Sequence, residues 1–157
     1  MIQIKNGDIL TSKANIICHQ VNCMGVMGAG LARAIREKYP VVYERYKALC
    51  DKHKPSGDLP NLLGKFQDVK ISDNQSIYNL FAQFKYGRDA VHTDYQALTQ
   101  CFKDVRSCAE LTGATVAIPY RIGCGLAGGD WATAKQIIYE IFDDSPICVE
   151  IWRYHNT

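Results

Sequence analysis

The sequence predicts an α/β fold of three layers, with helices on both faces of a mixed central sheet. Strand-like apolar runs alternate with amphipathic helical patterns along most of the 157 residues. Two glycine-rich segments each lie between a strand pattern and a helix pattern, as ligand loops of α/β folds do. Neither an internal repeat nor a long linker divides the chain, and its length suits one domain. We therefore expect residues 1–157 to form a single domain.

The first half of the chain predicts strands, then helices, then strands. Alternation over residues 2–5 and a β-branched apolar run over residues 14–21 are typical of strands. Apolar residues recur at helical spacing over residues 31–39 and 41–53, and Pro40 separates the two patterns. Two prolines and a glycine in residues 54–61 indicate a loop. Residues 64–71 and 76–84 are expected to form two further strands.

The second half predicts a helix, a strand, a helix and a last strand. A long amphipathic pattern over residues 94–112 stops at Gly113, as helices commonly do. A short apolar strand is expected at residues 115–119. Asp130 is a favourable N-cap for a helix over residues 131–142. The final strand is expected over residues 147–154.

Composition restricts the class of protein. With 47% hydrophobic and 22% charged residues the chain has an ordinary globular profile. A formal net charge of only +2 and the lack of a basic run argue against extended nucleic-acid contact. Seven cysteines without a Cys-x-x-Cys pair indicate a reducing compartment, with neither a disulfide framework nor a zinc site. No run approaches the roughly 20 apolar residues of a membrane span, so we expect a cytoplasmic monomer.

The two glycine-rich segments point to a phosphate ligand. They read Asn-Cys-Met-Gly-Val-Met-Gly-Ala-Gly-Leu-Ala at residues 22–32 and Pro-Tyr-Arg-Ile-Gly-Cys-Gly-Leu-Ala-Gly-Gly-Asp at residues 119–130. Glycine permits close approach of the backbone to a ligand, and backbone N–H groups at a helix N-terminus suit an anion. Two such loops suggest a diphosphate bound from both sides.

Two common phosphate motifs are not present. Gly123, Gly125 and Gly128 spell Gly-x-Gly-x-x-Gly, but a Rossmann fingerprint opens the first βαβ unit and precedes an acidic residue at a strand end. Here Glu150 lies inside the last predicted strand. The first loop lacks the Gly-Lys-Ser/Thr of a P-loop, so backbone amides and a helix dipole would have to hold the phosphate.

The same motifs, in this order, resemble a macrodomain. The resemblance rests on Gly7-Asp8-Ile9, on the strand ending in Asn22, on the stretch from Met27 to Ala32 and on the loop from Pro119 to Leu126. It extends over nearly the whole chain. It is closest to the terminal ADP-ribose protein glycohydrolases, with their DNA ADP-ribosyl glycohydrolase relatives, and to the yeast-type ADP-ribose 1''-phosphate phosphatases.

The resemblance implies ADP-ribose, or an ADP-ribosylated substrate, as the ligand. Asp8 would accept a hydrogen bond from the adenine amino group, with the Ile9 backbone alongside, and Trp152 would stack on the adenine. Asn22 would bind the distal ribose. The phosphates would be wrapped by two loop segments, whose residues are Gly28, Ala29, Gly30 and Leu31 in the first and Arg121, Ile122, Gly123, Cys124, Gly125 and Leu126 in the second.

The glycohydrolase and phosphatase branches of the family use different catalytic residues. The glycohydrolase branch uses a lysine and an aspartate, whose positions fall on Gln83 and Ala127, so Lys85 and Asp130 are the possible substitutes. The phosphatase branch places a catalytic histidine at His19. The residues expected to act are therefore His19, Asn22 and Asp130, with His92 and Asp94 as weaker candidates.

The resemblance implies hydrolysis of an ADP-ribose derivative at the distal ribose, with neither a metal nor a cofactor. Plausible substrates are ADP-ribose 1''-phosphate, O-acetyl-ADP-ribose and ADP-ribose esterified to a carboxylate. The alternatives are a non-catalytic ADP-ribose reader, a DNA-linked ADP-ribose hydrolase and a nucleotide-binding regulatory module.

Overall fold

The computed structural model describes residues 1–154, and its elements follow the predicted order. The strands are β1 (Ile2–Asn6), β2 (Ile16–Asn22), β3 (Phe66–Ser72), β4 (Gln75–Gln83), β5 (Val116–Pro119) and β6 (Val149–Arg153). The helices are α1 (Gly30–Lys38), α2 (Pro40–His53), α3 (Tyr95–Thr112) and α4 (Trp131–Phe142). The three-layer α/β fold with a mixed sheet is confirmed.

The differences from the predicted bounds lie at element ends. Strand β2 begins at Ile16 rather than at residue 14, and β6 covers Val149–Arg153 rather than residues 147–154. Two short 3₁₀ helices, Ile9–Thr11 and Leu59–Leu62, were not predicted. The first of them is capped by Asp8, whose carboxylate accepts a hydrogen bond from the Leu10 backbone N–H.

The sheet has six strands in the order β1-β6-β5-β2-β4-β3. Each neighbouring pair from β1 to β4 is parallel, and only β3 pairs antiparallel, with β4. The carboxyl ends of five strands therefore lie at one edge of the sheet. In open α/β sheets this is the edge at which ligands bind.

Helices cover both faces of the sheet over two apolar cores. Residues of β2 alternate between them: Ile16 and Cys18 pack under α3 and α4, while Ile17 and Val21 pack under α1 and α2. This alternation follows from the period of two of a strand. A strand buried on both faces positions its carboxyl end firmly, and β2 carries the first glycine-rich loop.

The helix N-termini differ in how they are capped. Asp94 caps α3 and Asp130 caps α4, each carboxylate accepting a backbone N–H of the first turn. Helix α1 begins after Ala29, and no side chain caps it. Its first N–H groups therefore stay open, and the positive end of its dipole is free to meet an anion.

The structure also describes the state of the cysteines and the character of the helices. All seven cysteines are free in the structure. Within residues 1–154, none of the helices is both long enough and apolar enough to span a bilayer.

Candidate ligand-binding site

A cavity of about 960 Å³ opens at the carboxyl edge of the parallel strands. It is bounded by the segments that follow β1, β2, β4, β5 and β6. Its volume lies at the upper end of the range for small-molecule sites. The predicted residues that line it are Asp8, Ile9, His19, Asn22, Gly28, Ala29, Gly30, Leu31, Arg121, Ile122, Gly123, Gly125, Leu126 and Trp152.

Two predicted site residues do not line the cavity. The Cys124 side chain is buried behind the second loop, where its thiol contacts the Ile122 carbonyl at 3.3 Å. Asp130 caps α4 instead, with its carboxylate 3.1 Å from the Thr133 N–H and 2.9 Å from the Thr133 hydroxyl. Because these hydrogen bonds occupy the Asp130 carboxylate, it stabilises the N-terminus of α4 and does not face the cavity.

The side chain of Asn22 shapes the first glycine-rich loop. Its Oδ1 accepts hydrogen bonds from the N–H groups of Met24 at 3.0 Å and Val26 at 3.3 Å, and its Nδ2 donates to the Val26 carbonyl at 2.7 Å. The amide keeps one further N–H for a ligand. Asn22 therefore fixes the loop as well as facing the cavity.

Tyr46 of α2 stabilises the first glycine-rich loop through its hydroxyl group, a role that the sequence did not indicate. Its fully buried hydroxyl lies 2.7 Å from the backbone oxygen of Asn22 and 2.8 Å from its Oδ1. The Gly25 N–H donates to the same hydroxyl at 3.2 Å. The ring stacks on Phe81 of β4, with centroids 5.8 Å apart. Burial raises the pKa of Tyr46, so the hydroxyl keeps its proton.

The open N-terminus of α1 and the second loop present backbone donors to the cavity. Within residues 1–154, the N–H groups of Gly30, Leu31 and Ala32 make no hydrogen bond, and neither do those of Gly123, Gly125 and Leu126. All six residues line the cavity. Two sets of unsatisfied amides along one cavity, one of them at a helix N-terminus, are suited to an anion.

The second loop is held by tight backbone contacts around Gly123. The Gly129 N–H donates to the Gly123 carbonyl at 2.8 Å, and the Thr93 hydroxyl donates to the same oxygen at 2.7 Å. Gly123 has φ +72°, and a Cβ placed on it would lie 2.7 Å from Oε1 of Gln20. Only glycine satisfies both constraints.

The β1 and β6 side of the cavity holds an aromatic ring beside a carboxylate. The indole of Trp152 lies against Gly7, and its Nε1 donates to Glu150 Oε1 at 2.8 Å. The Ser12 hydroxyl donates to the same Glu150 oxygen at 2.8 Å. Asp8 lies in the adjoining segment. A flat ring with a nearby acceptor is suited to a heteroaromatic base that carries an amino group.

The β2 and β4 side holds His19. Its ring is 2% exposed, and Nε2 lies 2.5 Å from Oδ1 of Asn79. Burial lowers the pKa of His19 to about 4, so the ring is neutral near pH 7. Its Nδ1 has no partner within residues 1–154. The cavity is therefore lined at this side by a neutral imidazole with one nitrogen unengaged.

The remaining candidates divide between the cavity and the surface. Gln83 and Ala127 both line the cavity. Lys85 does not line it, and neither do the two weaker candidates. His92 pairs with Asp89 at 2.9 Å, and Asp94 caps α3.

Sequence reasoning missed the loop after β4, which brings Tyr86, Gly87 and Arg88 to the cavity. Arg88 and Arg121 are the cationic side chains of the lining, and Asp8 is its one carboxylate among residues 1–154. This balance favours an anionic ligand. In the same described range, no cluster of three or more His, Cys, Asp or Glu could hold a metal ion.

Fold and cavity together define an α/β domain with an open cavity at the carboxyl edge of its sheet. The sequence model of the macro domain family matches residues 18–138. The chain belongs to this family, and the resemblance read from its motifs is confirmed.

Solved structures agree with this assignment. A protein of unknown function from Bacteroides thetaiotaomicron superimposes with a TM-score of 0.83 at 30% identity, and 98% of each chain is covered. The macrodomain of Thermus aquaticus DarG superimposes with a TM-score of 0.78 at 22% identity, covering 99% of this chain and 98% of its own. At that identity the second comparison shows the shared fold.

Curated relatives carry related names. The DNA ADP-ribosyl glycohydrolase of Mycobacterium tuberculosis is 28% identical over 151 residues, which are 93% of this chain and 40% of the relative. The chain thus spans less than half the length of that relative. The ADP-ribose 1''-phosphate phosphatase of Aspergillus oryzae is 26% identical, with 79% of this chain and 80% of the relative covered.

Proposed function

We propose that this macro domain binds ADP-ribose and hydrolyses an ADP-ribose derivative at the distal ribose. The observation that carries the proposal is the pair of unsatisfied amide sets along the cavity, one at Gly30, Leu31 and Ala32 and the other at Gly123, Gly125 and Leu126. A diphosphate supplies acceptor oxygens to both sets at once. The names of the mycobacterial and Aspergillus relatives support the same ligand.

The two sides of the cavity would take the two ends of the ligand. Adenine would stack on Trp152, where the Asp8 carboxylate can accept from the exocyclic amino group. One Asp8 oxygen already accepts the Leu10 N–H, and the other remains for the base. The distal ribose would then lie across β2, beside His19 and the remaining N–H of Asn22. Arg88 and Arg121 would add positive charge near the phosphates.

Hydrolysis at this ribose would use His19 as the proton acceptor. Nδ1 is buried in the ligand-free structure, so it would have to become accessible to the attacking water before it could accept that water's proton; the leaving group would depart from the same ribose. Burial keeps the ring neutral near pH 7, so its lone pair is unprotonated, and the negative charge of a bound diphosphate would raise the lowered pKa and make the ring a better base. Fixing the diphosphate between two rigid loops would orient the reacting end. Asp130, which caps α4, has no step in this scheme.

A turnover assay tests the proposal. Purified protein is mixed with ADP-ribose 1''-phosphate, O-acetyl-ADP-ribose, an ADP-ribosyl carboxylate ester and ADP-ribosylated single-stranded DNA, and released ADP-ribose is measured. We expect turnover of at least one substrate, loss of that turnover in His19→Gln, and unchanged turnover in His53→Gln. His53 lies on α2, outside the cavity. Full activity of His19→Gln would remove His19 from the mechanism.

A non-catalytic reader is the second candidate. Gln83 and Ala127 line the cavity at the positions where the glycohydrolase branch has its lysine and aspartate. Neither side chain offers a nucleophile or a base. Tight ADP-ribose binding with no turnover of any of the four substrates would establish the reader.

A cytoplasmic, monomeric protein remains part of the proposal. The seven free cysteines support a reducing compartment. Light scattering at micromolar concentration would test the monomer, and a stable dimer would overturn it.

A further inference from the structure

A chain of side-chain amides runs from His19 across β4 and β3 to α2. His19 pairs with Asn79 in the parallel register of β2 and β4, and Asn79 pairs with Gln67 in the antiparallel register of β4 and β3. Asn79 Nδ2 donates to Gln67 Oε1 at 3.0 Å. Gln67 Nε2 donates to the Arg45 carbonyl at 3.1 Å. Asn79 is fully buried, so its orientation depends on these partners.

The Arg45 carbonyl fixes the direction of every hydrogen bond in this chain. A carbonyl oxygen only accepts, so the NH₂ group of Gln67 must face Arg45 and its oxygen must face Asn79. The NH₂ group of Asn79 must then face Gln67, which turns Oδ1 toward His19. An amide oxygen only accepts, so Nε2 of His19 must carry the hydrogen.

We propose that Asn79 and Gln67 are positioning residues that hold His19 in the Nε2–H tautomer, which leaves the lone pair on the buried Nδ1. The Nδ1 atom is buried and has no partner in residues 1–154, and His19 lines the cavity. A buried acceptor without a partner is costly, so a small movement that opens Nδ1 to a water or a ligand hydroxyl would be favourable. The catalytic consequence rests on the proposed function, whereas the tautomer is a property of the protein alone.

Gln20, the next residue of β2, lies on the other face of the sheet, and a hydrogen-bonded neighbour fixes the orientation of its side chain in the same way. Gln83 Nε2 donates to the Lys85 carbonyl at 2.8 Å, so Gln83 Oε1 faces Gln20 Nε2 at 2.9 Å. Gln20 Oε1 is thereby left as a second buried acceptor without a partner in the described chain. Either acceptor would be satisfied by a hydroxyl group or a water, and neither by an acceptor-only phosphate dianion.

Nitrogen NMR of ¹⁵N-histidine-labelled protein tests the tautomer directly. In the ligand-free wild type at pH 7, we expect His19 Nδ1 to resonate as an unprotonated, pyridine-type nitrogen and Nε2 as a protonated, pyrrole-type nitrogen. Loss of these signals in His19→Gln assigns them among the four histidines. A wild-type spectrum with the proton on Nδ1, or on both nitrogens, would overturn the proposal.

Two substitutions at Gln67 separate positioning from packing. Gln67 lies on β3, the edge strand, and is partly exposed, so its variants are expected to fold. Gln67→Leu removes the anchor, and the two nitrogen signals should move toward each other as both tautomers become populated. Gln67→Glu loses the hydrogen bond to the Arg45 carbonyl, but a carboxylate offers Asn79 only acceptor oxygens, so this variant should retain the wild-type tautomer. Gln3→Leu, on the opposite edge strand β1, is the matched control and should change nothing.

Activity provides the second readout. On a substrate that the wild type turns over, Gln67→Leu should lower kcat by about five- to tenfold with KM unchanged, which is what one ordinary hydrogen bond is worth. Gln67→Glu should recover most of kcat. An unchanged tautomer in Gln67→Leu would refute the positioning role. If the tautomer shifts as expected but neither the wild type nor any variant turns over a substrate, the positioning role of Gln67 and Asn79 is supported and the proposed hydrolysis is refuted.

Discussion

Replacing Gly123 by alanine should damage both the fold and the ligand site. The backbone there has φ +72°, and the added Cβ would lie 2.7 Å from Gln20 Oε1 and 2.9 Å from Thr93 Oγ1. Left-handed backbone costs a residue with a Cβ about 1–2 kcal/mol. Displacing Gln20 and Thr93 loosens hydrogen bonds worth about 1 kcal/mol each. We expect the free energy of unfolding to fall by about 3–4 kcal/mol in total.

Gly113→Ala provides the matched control for this prediction. Gly113 ends α3 with φ +71°, but a Cβ there meets nothing within 4 Å, and it lies outside the cavity. It therefore carries the backbone cost alone, about 1–2 kcal/mol. Urea unfolding of the two variants and the wild type measures the difference, which is the contribution of the contacts with Gln20 and Thr93.

The same pair of variants tests the binding role of the second loop. Titration calorimetry with ADP-ribose should show affinity weakened by about tenfold or more in Gly123→Ala, because a displaced loop loses a charge-assisted hydrogen bond to phosphate. Gly113→Ala should bind as the wild type does. Equal destabilisation of the two variants together with unchanged affinity in Gly123→Ala would refute the reasoning.

Three further predictions concern single side chains. Asp8→Ala should weaken ADP-ribose binding by about 1–3 kcal/mol through loss of an acceptor that the bound adenine would cover, and unchanged affinity in calorimetry would remove Asp8 from the adenine site. Tyr46→Phe should lower the free energy of unfolding by about 1–3 kcal/mol, because Asn22 and the loop above it lose the hydroxyl; an unchanged urea midpoint would contradict this. His19 should make the protein sensitive to acid. Its pKa is lowered by burial from 6.5 to about 4, so the unfolded state binds more protons in this window and stability falls as pH drops from about 6.5 to 4, by up to about 3 kcal/mol. Urea unfolding across that range should show a flatter dependence in His19→Gln, and an equal slope in both proteins would refute the assignment.

The local features of the fold were accessible from the sequence. Strand and helix periodicity gave all ten main elements in order, because each pattern depends on nearby residues. Asp130 was recognised as the N-cap of α4, where the structure places it. The short 3₁₀ helix after Asp8 was missed, since three residues carry no periodicity. Strand order was likewise out of reach, because pairing between β2, β4 and β5 joins distant segments.

The site was predictable where it consists of backbone. Glycine-rich loops are legible in a sequence, and both loops line the cavity. The side chains that hold the site in place could not be predicted. Tyr46 contacts Asn22 from 24 residues away, and Asn79 contacts His19 from 60 residues away. The residues that neighbour a tyrosine on a helix or an asparagine in a strand do not indicate such a long-range contact. These partners emerge only when the sheet is assembled.

Calorimetric titration of the wild-type protein with ADP-ribose tests the central claim most directly, with AMP as the comparison ligand. The account has the amides of Gly30, Leu31 and Ala32 and those of Gly123, Gly125 and Leu126 hold the two ends of a diphosphate. ADP-ribose should then bind at one site and at least tenfold more tightly than AMP, since one extra charge-assisted contact suffices for that ratio. Equal affinity for AMP and ADP-ribose, or no measurable binding of ADP-ribose, would contradict the account.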